Sequence, residues 1–474
     1  MNGENLTMLT DFYELTMANG YYLHGAGDQV AYFDLFYRKN PEEGGLAIMA
    51  GLQSLIEYLQ ELTFTEEDIA YLRSRGIFDE RFLAYLEGFQ FACDVWAVPE
   101  GTPIFPGEPI LTVRGPVIQS QFIETMALLL INHQSLIATK ANRIVRAAGQ
   151  RSVMEFGARR AHGASASILG ARAAYIGGCA GTSCTLVEQR YGIPAMGTMA
   201  HSWVQLFDSE LEAFERYAQL YPQNCTLLVD TYDVLRSGIP NAIKVFDRYK
   251  PAGKAIRIDS GDITYLTKNA RKMLDEAGHP DCKIVISNSL DEYLIRDMLL
   301  QGACIDSFGV GERMITAKAE PVFGGVYKLV ATEQDGTVIP KIKVSENVEK
   351  ITNPGYKKVY RLFDKGTGQA FADVITLAVE KPPAGDDYAI VDPYSTKKYK
   401  KLSNFEAREL LVPIFEKGKL VYASPDVKDI RAYCLRNISE MWEEILRFEN
   451  PHRYYVDLSV PLWELKSRML EAHV

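Results

Sequence analysis

A histidine, His201, follows a short apolar run that ends in Gly197 and Thr198, within the segment GIPAMGTMAHSW, and stands where a helix is expected to begin. Neutral imidazole is a good nucleophile near pH 7, and the N-terminus of a helix attracts anions such as phosphate. These conditions favour phosphate chemistry over core packing at His201. A capping histidine, or one satisfied in the core, is the structural alternative that this segment alone leaves open.

Other residues that suit phosphate and sugar chemistry also stand at the ends of short apolar runs. Arginines, hydroxyls and glycines can bind phosphate oxygens through guanidinium forks and close backbone approach. Carboxylates can bind ribose hydroxyls or a Mg²⁺ ion that bridges phosphates. The candidates are Phe156, Arg159, Arg160, His162, Thr182, Ser183, Thr198, Asp230, Asp233, Arg257, Asp259, Ser260, Asp262, Gly309, Gly311 and Glu312.

Each of these motifs also fits an ordinary structural role when it is taken alone. The segment EFGARR could be a surface arginine pair, RIDSGD a capped helix start and GVGE a glycine turn. Independent structural features would not all fall at the C-terminal ends of separate predicted strands. Their joint occurrence therefore favours one shared site.

Seven short β-like runs in the middle of the chain alternate with helical segments, which implies parallel pairing through right-handed crossovers. The runs occupy residues 152–157, 174–181, 193–198, 225–232, 254–262, 283–289 and 305–314. Polar residues at the C-terminal ends of these runs predict an irregular α/β barrel whose rim carries the site. A doubly wound open sheet is the alternative fold. The sequence contains no dinucleotide-binding GxGxxG at a helix start and no Walker loop.

The segments on either side of this region follow different patterns. Residues 1–125 combine a helix at 9–25, an aromatic alternating strand at 29–39 and short strands within 91–116, which predicts a β-rich, sandwich-like α+β domain. A long helical stretch leads into the catalytic barrel domain, which we set at residues 126–340. Residues 341–474 predict a mixed C-terminal region that packs on the other two.

The composition is that of a globular chain, with 474 residues and a formal net charge of −10. That charge argues against general binding to nucleic acid or anionic membranes, so a phosphate site needs local positive charge. No apolar run reaches the length of a membrane span, and the N-terminal sequence lacks the regions of a signal peptide. We therefore expect a cytoplasmic protein whose seven cysteines are reduced.

Segments along nearly the whole chain resemble the nicotinate phosphoribosyltransferase family, in the family's order. They include LTDFYELTMANGYY, EFGARRAHG, GIPAMGTMAHSW, LVDTYDVLRSGIPNAI, IRIDSGD, VISNSLDE, GVGERM and FGGVYKLV. The resemblance implies an α/β barrel, a β-rich N-terminal domain and a homodimer with shared active sites. It also implies an enzyme of NAD salvage that forms nicotinate mononucleotide and diphosphate from nicotinate and 5-phosphoribosyl 1-diphosphate. The co-substrate and cofactor it implies are ATP and Mg²⁺.

The resemblance implies catalytic roles for three residues. His201 would be phosphorylated by ATP, while Asp230 orients its ring so that one nitrogen is free to attack. Asp259 would lie near the reacting ribose, where a carboxylate stabilises oxocarbenium-like charge. Mg²⁺ would be held mainly by diphosphate, so no residue is assigned as a metal ligand.

Substrate contacts are also implied by the resemblance. Arg257 and Thr198 would bind the carboxylate of nicotinate, while Phe156 and Tyr13 of the partner subunit would enclose the ring by stacking. The remaining contacts, mainly to phosphate, would come from Arg159, Gly197, Ser289, Gly309 and Gly311.

One position departs from the family pattern, because vertebrate-type members carry a threonine where this chain has Glu312. A carboxylate beside a phosphate is repulsive unless it faces Mg²⁺, Arg313 or solvent. We therefore assign no substrate contact to Glu312.

Four other functions fit parts of the sequence. Nicotinamide phosphoribosyltransferase shares the rim, although the GTMAHSW context argues against it. Quinolinate phosphoribosyltransferase is shorter and lacks the phosphorylatable histidine. A metabolite sensor without catalysis need not retain His201, Asp230, Arg257 and Asp259 together, and a generic phosphosugar enzyme does not explain DFYELTMANGYY.

Overall fold

The structure is a computed structural model that describes residues 5–347, 350–393 and 399–472. The chain divides into two compact units, the first formed by Met1–Leu136 with Val322–Val474 and the second by Ile137–Pro321. The division of the sequence into 1–125, 126–340 and 341–474 stays a prediction. Residues 348–349, 394–398 and 473–474 of its last segment lie outside the described residues.

The N-terminal part of the chain contains the helix, the aromatic strand and the short strands that the sequence predicts at 9–25, 29–39 and 91–116. None of the helices that the structure describes is both long enough and apolar enough to cross a membrane. The elements are α1 Phe12–Leu23, β1 Val30–Tyr37, β2 Ala47–Ile48, α2 Leu52–Glu61, α3 Glu66–Ser74, α4 Glu80–Glu87, β3 Asp94–Ala97, β4 Pro103–Ile104, β5 Leu111–Pro116, α5 Val117–Gln121 and α6 Glu124–Ala148.

The second unit alternates strands with helices. Its elements are β6 Ser152–Glu155, α7 Ala164–Ile176, β7 Gly181–Thr182, α8 Thr185–Tyr191, α9 His201–Leu206, α10 Glu210–Leu220, β8 Cys225–Leu228, α11 Ile239–Tyr249, β9 Lys254–Ile258, α12 Ile263–Glu276, β10 Lys283–Asn288, α13 Glu292–Leu300, β11 Ser307–Val310 and α14 Glu312–Ile315. A 3₁₀-helix at Ala158–Arg160 follows β6, and a π-helix at Val234–Gly238 precedes α11.

The strands of the second unit form one six-stranded sheet in the order β7-β6-β11-β10-β9-β8. Every pair of neighbours is parallel, and the sheet curls into a half-barrel. The predicted α/β fold is confirmed. Because parallel strands end at the same edge, the polar residues that follow them are brought to one side of the sheet.

Two of the predicted strands are wrong in their extent. The first three residues of the run at 174–181 are the end of α7 and the next four form a connection, so only Gly181–Thr182 pairs in the sheet. A Cβ on Gly177, at the end of α7, would lie 2.3 Å from the Ala138 carbonyl oxygen, so this glycine permits close packing of two helices. The run at 193–198 contributes only an isolated bridge between Ala195 and Thr182.

The C-terminal part of the chain returns to the first unit. Its elements are β12 Gly325–Gln334, β13 Thr337–Pro340, β14 Lys357–Asp364, β15 Ala370–Leu377, β16 Tyr388–Val391, β17 Tyr399–Leu402, β18 Phe405–Glu409, β19 Val412–Glu416, β20 Lys419–Leu420, α15 Val427–Ser439, β21 Tyr455–Ser459 and α16 Val460–Glu471. The first unit thus has a seven-stranded antiparallel sheet, β13-β12-β1-β5-β3-β19-β20, a six-stranded sheet, β17-β16-β21-β15-β14-β18, and a pair, β2-β4.

A buried ion pair joins two strands of the first unit. Arg361 on β14 is 1% exposed and donates two hydrogen bonds to Asp373 on β15, at 2.9 and 2.6 Å. The Tyr454 hydroxyl also donates to Asp373, at 2.9 Å. Burial raises the pKa of the neighbouring Glu108 well above its usual range, and the charge of Asp373 adds to that effect. Arg361 is therefore the cation that balances the buried carboxylate of Asp373.

Replacing Arg361 with alanine should destabilise the fold, because it leaves Asp373 charged and buried without a cation. We expect the free energy of unfolding to fall by about 3–5 kcal/mol, the cost typical of breaking a buried pair. Thermal and urea unfolding of the full chain measure it. The control is Arg73→Ala, which removes an arginine that forms ion pairs with two carboxylates on the exposed surface. An equal loss of unfolding free energy in both variants would contradict the stabilising role of the buried Arg361–Asp373 pair.

Candidate active site

The candidate residues of the second unit lie at the C-terminal edge of its parallel sheet. Asp230 follows β8, Arg257 is the second-last residue of β9, and Asp259 comes directly after that strand. Phe156 follows β6, and Gly309 lies near the end of β11. The strand order places β11 between β6 and β10, so residues distant in sequence meet at this edge.

The Arg257 guanidinium joins several of these residues. It donates to the Thr198 hydroxyl at 2.9 Å and to Asp259 Oδ1 at 3.0 Å. Its Nε donates to the Ser287 hydroxyl at 2.7 Å, and its side chain is 15% exposed. A guanidinium held in this way presents a fixed set of donors, which suits a planar carboxylate. Ser287, which also hydrogen-bonds Asp259, was not predicted, although it is a polar residue within an apolar strand run.

The Phe156 ring lies beside this guanidinium, 6.0 Å from its central carbon. Two glycines make room for Phe156. A Cβ on Gly309 would lie 2.4 Å from the ring, and one on Gly311 would lie 2.8 Å from the Phe156 carbonyl oxygen. An aromatic face next to a cation is an arrangement that can bind a flat ring that carries a carboxylate.

A buried carboxylate fixes the loop that carries Phe156. Glu155 accepts hydrogen bonds from the Gly157 amide and, at 2.7 Å, from the Thr182 hydroxyl. Burial raises the pKa of Glu155. Glu155 was not predicted as a site residue, and its signal in the sequence is a charged residue inside an apolar strand.

His201 is the first residue of α9, as its sequence position suggested. Its Nδ1 lies 3.1 Å from the Thr231 hydroxyl oxygen, and its Nε2 lies 4.0 Å from Asp230 Oδ1. The ring is 41% exposed, so a ligand can reach it, whereas the Asp230 side chain is only 2% exposed. Thr231 is a further contact that sequence reasoning missed, although it lies inside the VDTYD motif.

Asp230 connects His201 to the Arg257 group. Its Oδ2 accepts hydrogen bonds from the Asp259 amide at 2.9 Å and from the Ser260 hydroxyl at 2.7 Å. Its Oδ1 is buried and has no hydrogen-bond partner among the described residues. One oxygen is therefore held by the β9 loop, while the other is left for the imidazole or a ligand.

Arg159, Gly197, Ser289 and Tyr13 make no hydrogen bond within this group among the described residues. Arg159 is exposed on the 3₁₀-helix after β6, and Gly197 is exposed in the approach to α9. Ser289 is exposed after β10, and its amide donates to the Asn288 side chain at 2.6 Å. Tyr13 belongs to the first unit, where its ring is 44% exposed on α1. Their roles stay predictions.

Glu312 has a partner that the sequence did not indicate. Lys318 donates to its carboxylate at 2.6 Å, and this hydrogen bond lowers the pKa of Glu312. Arg313, which we considered as a partner, instead forms an ion pair with Asp291. The negative charge of Glu312 is thus offset locally by Lys318.

No group of three or more metal-ligating side chains occurs in the part of the chain that the structure describes. A Mg²⁺ ion held mainly by phosphates needs only one or two protein carboxylates. Asp259 fits that requirement, because it lies at the sheet edge and its side chain is 34% exposed. The seven cysteines form no disulfide.

Three family models match the chain and together cover most of it. They are described as the nicotinate phosphoribosyltransferase N-terminal domain at residues 8–132, the nicotinate phosphoribosyltransferase family at 151–344 and the corresponding C-terminal domain at 356–466.

Curated proteins named nicotinate phosphoribosyltransferase are similar over nearly the full length. The Bacillus subtilis protein is 44% identical, with 99% of this chain and 97% of that protein covered. The Dictyostelium discoideum protein is 34% identical, over 98% of this chain and 88% of that protein.

Two solved structures have similar folds. Human nicotinic acid phosphoribosyltransferase has a TM-score of 0.86 and 29% identity, over 97% of this chain and 99% of that one. A nicotinate-nucleotide pyrophosphorylase from Pyrococcus furiosus has a TM-score of 0.70 and 25% identity, over 92% and 96%.

Proposed function

This chain belongs to the nicotinate phosphoribosyltransferase family and is a phosphoribosyltransferase, and from that premise we propose that it couples nicotinate mononucleotide formation to ATP hydrolysis through a phosphohistidine at His201. The substrates are nicotinate and phosphoribosyl diphosphate, and the second product is diphosphate. The reaction would serve NAD salvage in the cytoplasm. The His201 ring, 41% exposed with Nδ1 3.1 Å from the Thr231 hydroxyl and Nε2 4.0 Å from Asp230 Oδ1, is the observation that supports the phosphohistidine. The Arg257 guanidinium, held between Thr198 and Asp259 beside the Phe156 ring, supports recognition of the base.

Recognition of nicotinate follows from the charge of that group. Arg257 and the Thr198 hydroxyl would bind the carboxylate of nicotinate, and Phe156 would stack on the pyridine ring. Nicotinamide is neutral and carries an amide N–H₂ where nicotinate has a second acceptor oxygen. It would leave a guanidinium donor without an acceptor, so the site favours the acid.

Transfer requires little covalent chemistry from the protein. The pyridine nitrogen attacks C1 of the ribose, while the bond from C1 to the diphosphate oxygen breaks and diphosphate leaves. Asp259 would stabilise positive charge on the ribose. Gly309, Gly311, Ser289 and Arg159 would receive the phosphates through backbone amides and a guanidinium. Bound Mg²⁺, held mainly by the phosphates with Asp259 as its carboxylate ligand, would neutralise charge on the departing diphosphate.

The surroundings of His201 support Nδ1 as the ring nitrogen that would be phosphorylated. Asp230 Oδ1 has no hydrogen-bond partner in the described part of the chain and lies 4.0 Å from Nε2, which favours the tautomer with a proton on Nε2. Nδ1 then carries the lone pair that attacks the γ-phosphorus of ATP, releasing ADP. The Thr231 hydroxyl, 3.1 Å from Nδ1, can turn to donate to the transferred phosphoryl group. Water would later hydrolyse the phosphoramidate to free His201 and inorganic phosphate. Loss of the phosphoryl group from His201 would favour product release.

A homodimer would complete the site in this proposal. Tyr13 would stack on nicotinate from a second copy of the chain, opposite Phe156. The exposure of its ring on α1, at 44%, is compatible with such a contact.

Incubation with ATP radiolabelled in its γ-phosphate tests the phosphohistidine directly. The wild-type protein should acquire acid-labile, base-stable label in the peptide that contains His201. His201→Ala should acquire none, and Asp230→Asn should acquire it more slowly, because the tautomer is no longer fixed. His162→Ala, which removes an exposed histidine of the same unit, is the control. Label that persists in His201→Ala would refute the assignment.

Gly309→Ala should damage base binding without unfolding the protein, since the new methyl group would displace the Phe156 ring. Small displacements of reacting groups are costly, so we expect kcat/KM for nicotinate to fall roughly 10- to 100-fold. The control is Gly88→Ala, where the nearest atom to a Cβ is 3.8 Å away. Steady-state kinetics and a thermal midpoint for each variant separate the two effects. Unchanged kinetics would show that Phe156 does not contact the base.

A further inference from the structure

The loop after β11 is packed tightly on one side. Strand β11 lies between β6 and β10, and the loop that follows it contains Gly311. On the β6 side, the Phe156 amide donates to the Val310 carbonyl oxygen at 2.7 Å. A Cβ on Gly311 would lie only 2.8 Å from the Phe156 carbonyl oxygen. Backbone contacts therefore fix this loop against its β6 neighbour.

On the β10 side, the backbone pairing ends where the two loops begin. Asn288 lies opposite Val310, and this is the last pair in the register of β10 with β11. The residues that come next, Ser289 and Gly311, are both assigned to phosphate in the proposed function. Two loops that bind one phosphate must keep a fixed spacing, because small displacements of binding groups are costly.

An ion pair joins the two loops beyond the last paired residues. Arg313 Nη1 donates to Asp291 Oδ2, and each of these residues lies two positions after its loop's predicted phosphate contact. The other carboxylate oxygen of Asp291 accepts a hydrogen bond from the Leu294 amide at 2.9 Å and so caps α13. The ion pair thus attaches the start of α14 to the first turn of α13.

Helix α13 is itself held firmly at that end. Its first residue, Glu292, is fully buried and forms ion pairs with two residues of α6, with Lys140 at 2.9 Å and with Arg143 at 2.6 Å. The N-terminus of α13 is therefore a fixed point to which Arg313 attaches the β11 loop. Glu312 does not compete for Arg313, because its carboxylate accepts a hydrogen bond from Lys318 at 2.6 Å.

We propose that Arg313 and Asp291 are positioning residues that hold the loops after β10 and β11 at the spacing required by one phosphate group of phosphoribosyl diphosphate. This inference rests on the proposed function, which assigns Ser289 and Gly311 to phosphate. Arg313 acts through Asp291 and does not touch the substrate. The pair thus continues, through side chains, the attachment that the backbone provides up to Asn288 and Val310.

Asp291→Asn tests this role because asparagine also caps helices well but cannot form the ion pair. By charge alone, the variant leaves Arg313 unpaired and should attract phosphate, which would lower the KM for phosphoribosyl diphosphate. We expect that KM to rise about 10-fold instead, since the loop spacing is lost, while the KM for nicotinate stays unchanged. Arg313→Gln should give the same rise, and the double variant should add nothing, because all three lose one contact.

Glu276→Gln is the matched control, since it removes a carboxylate from the exposed ion pair with Lys272 on α12 and should leave both KM values unchanged. Thermal midpoints of all variants check the fold. A rise confined to Arg313→Gln would overturn the proposal, because Arg313 would then bind phosphate itself, for which its buried Nε has no other partner among the described residues. Unchanged KM values in both single variants, or additive rises in the double variant, would overturn it as well.

The wild-type protein separates this inference from the function on which it rests. A wild type that forms no nicotinate mononucleotide would contradict the proposed function before any variant is compared. Wild-type turnover with an unchanged KM for phosphoribosyl diphosphate in Asp291→Asn would contradict only the role of the ion pair.

Discussion

Arg257→Ala should raise the KM for nicotinate by about 100-fold or more, because two charge-assisted hydrogen bonds to a carboxylate are lost at roughly 1.5–3 kcal/mol each. The KM for phosphoribosyl diphosphate should change little. Arg257 is suited to this role since its donors are already aligned by Thr198, Asp259 and Ser287. Steady-state kinetics with each substrate varied in turn gives both constants.

Two further variants make that result specific. Arg257→Lys keeps the charge but loses the planar fork, so it should recover only part of the affinity. Arg236→Ala removes an arginine whose side chain is 90% exposed on the π-helix before α11, and it should leave both KM values unchanged. Equal increases of the two KM values in Arg257→Ala would mean that Arg257 serves phosphate instead of the base.

His201→Ala should abolish the stimulation of turnover by ATP while leaving slow, ATP-independent transfer. The base site is built around Arg257, and His201 makes no hydrogen bond to it, so the transfer chemistry should survive. The loss in kcat/KM should equal the stimulation that ATP gives the wild type. Rates measured with and without ATP for both proteins provide the comparison.

Thr231→Val and Thr231→Ser separate contact from position. Valine cannot hydrogen-bond to Nδ1, whereas serine can, so serine should retain most of the ATP stimulation and valine should lose much of it. Full ATP coupling in His201→Ala would contradict the phosphohistidine, whatever the result at Thr231.

The sequence predicts that Asp230, Arg257 and Asp259 meet at one edge of the sheet, and they do meet there, while their roles stay predictions. Arg257 and Asp259 were found because polar residues at the ends of parallel strands must meet at one edge. The contacts to Ser287, Thr231 and Glu155 were not predicted, since they depend on which neighbouring side chain reaches across the edge. The sequence does not specify which residue forms a hydrogen bond with a short polar side chain at a strand end.

Long-range pairing was the other part that the sequence could not predict. Strand β1 pairs with β12, so that Asp34 lies opposite Lys328 across nearly 300 residues of chain. Strand β3 pairs with β19 in the same sheet. Alternation of apolar residues predicts that each segment is a strand, but it carries no information about which distant strand completes the sheet.

A steady-state assay with phosphoribosyl diphosphate, Mg²⁺ and either nicotinate or nicotinamide, each with and without ATP, tests the central claim most directly. We predict formation of nicotinate mononucleotide that ATP stimulates, with little product from nicotinamide. Equal turnover of nicotinamide would contradict the role of Arg257 in selecting a carboxylate. Absence of product from both bases, with ATP still bound, would contradict the enzyme assignment and point to a protein that senses its ligands without transferring them.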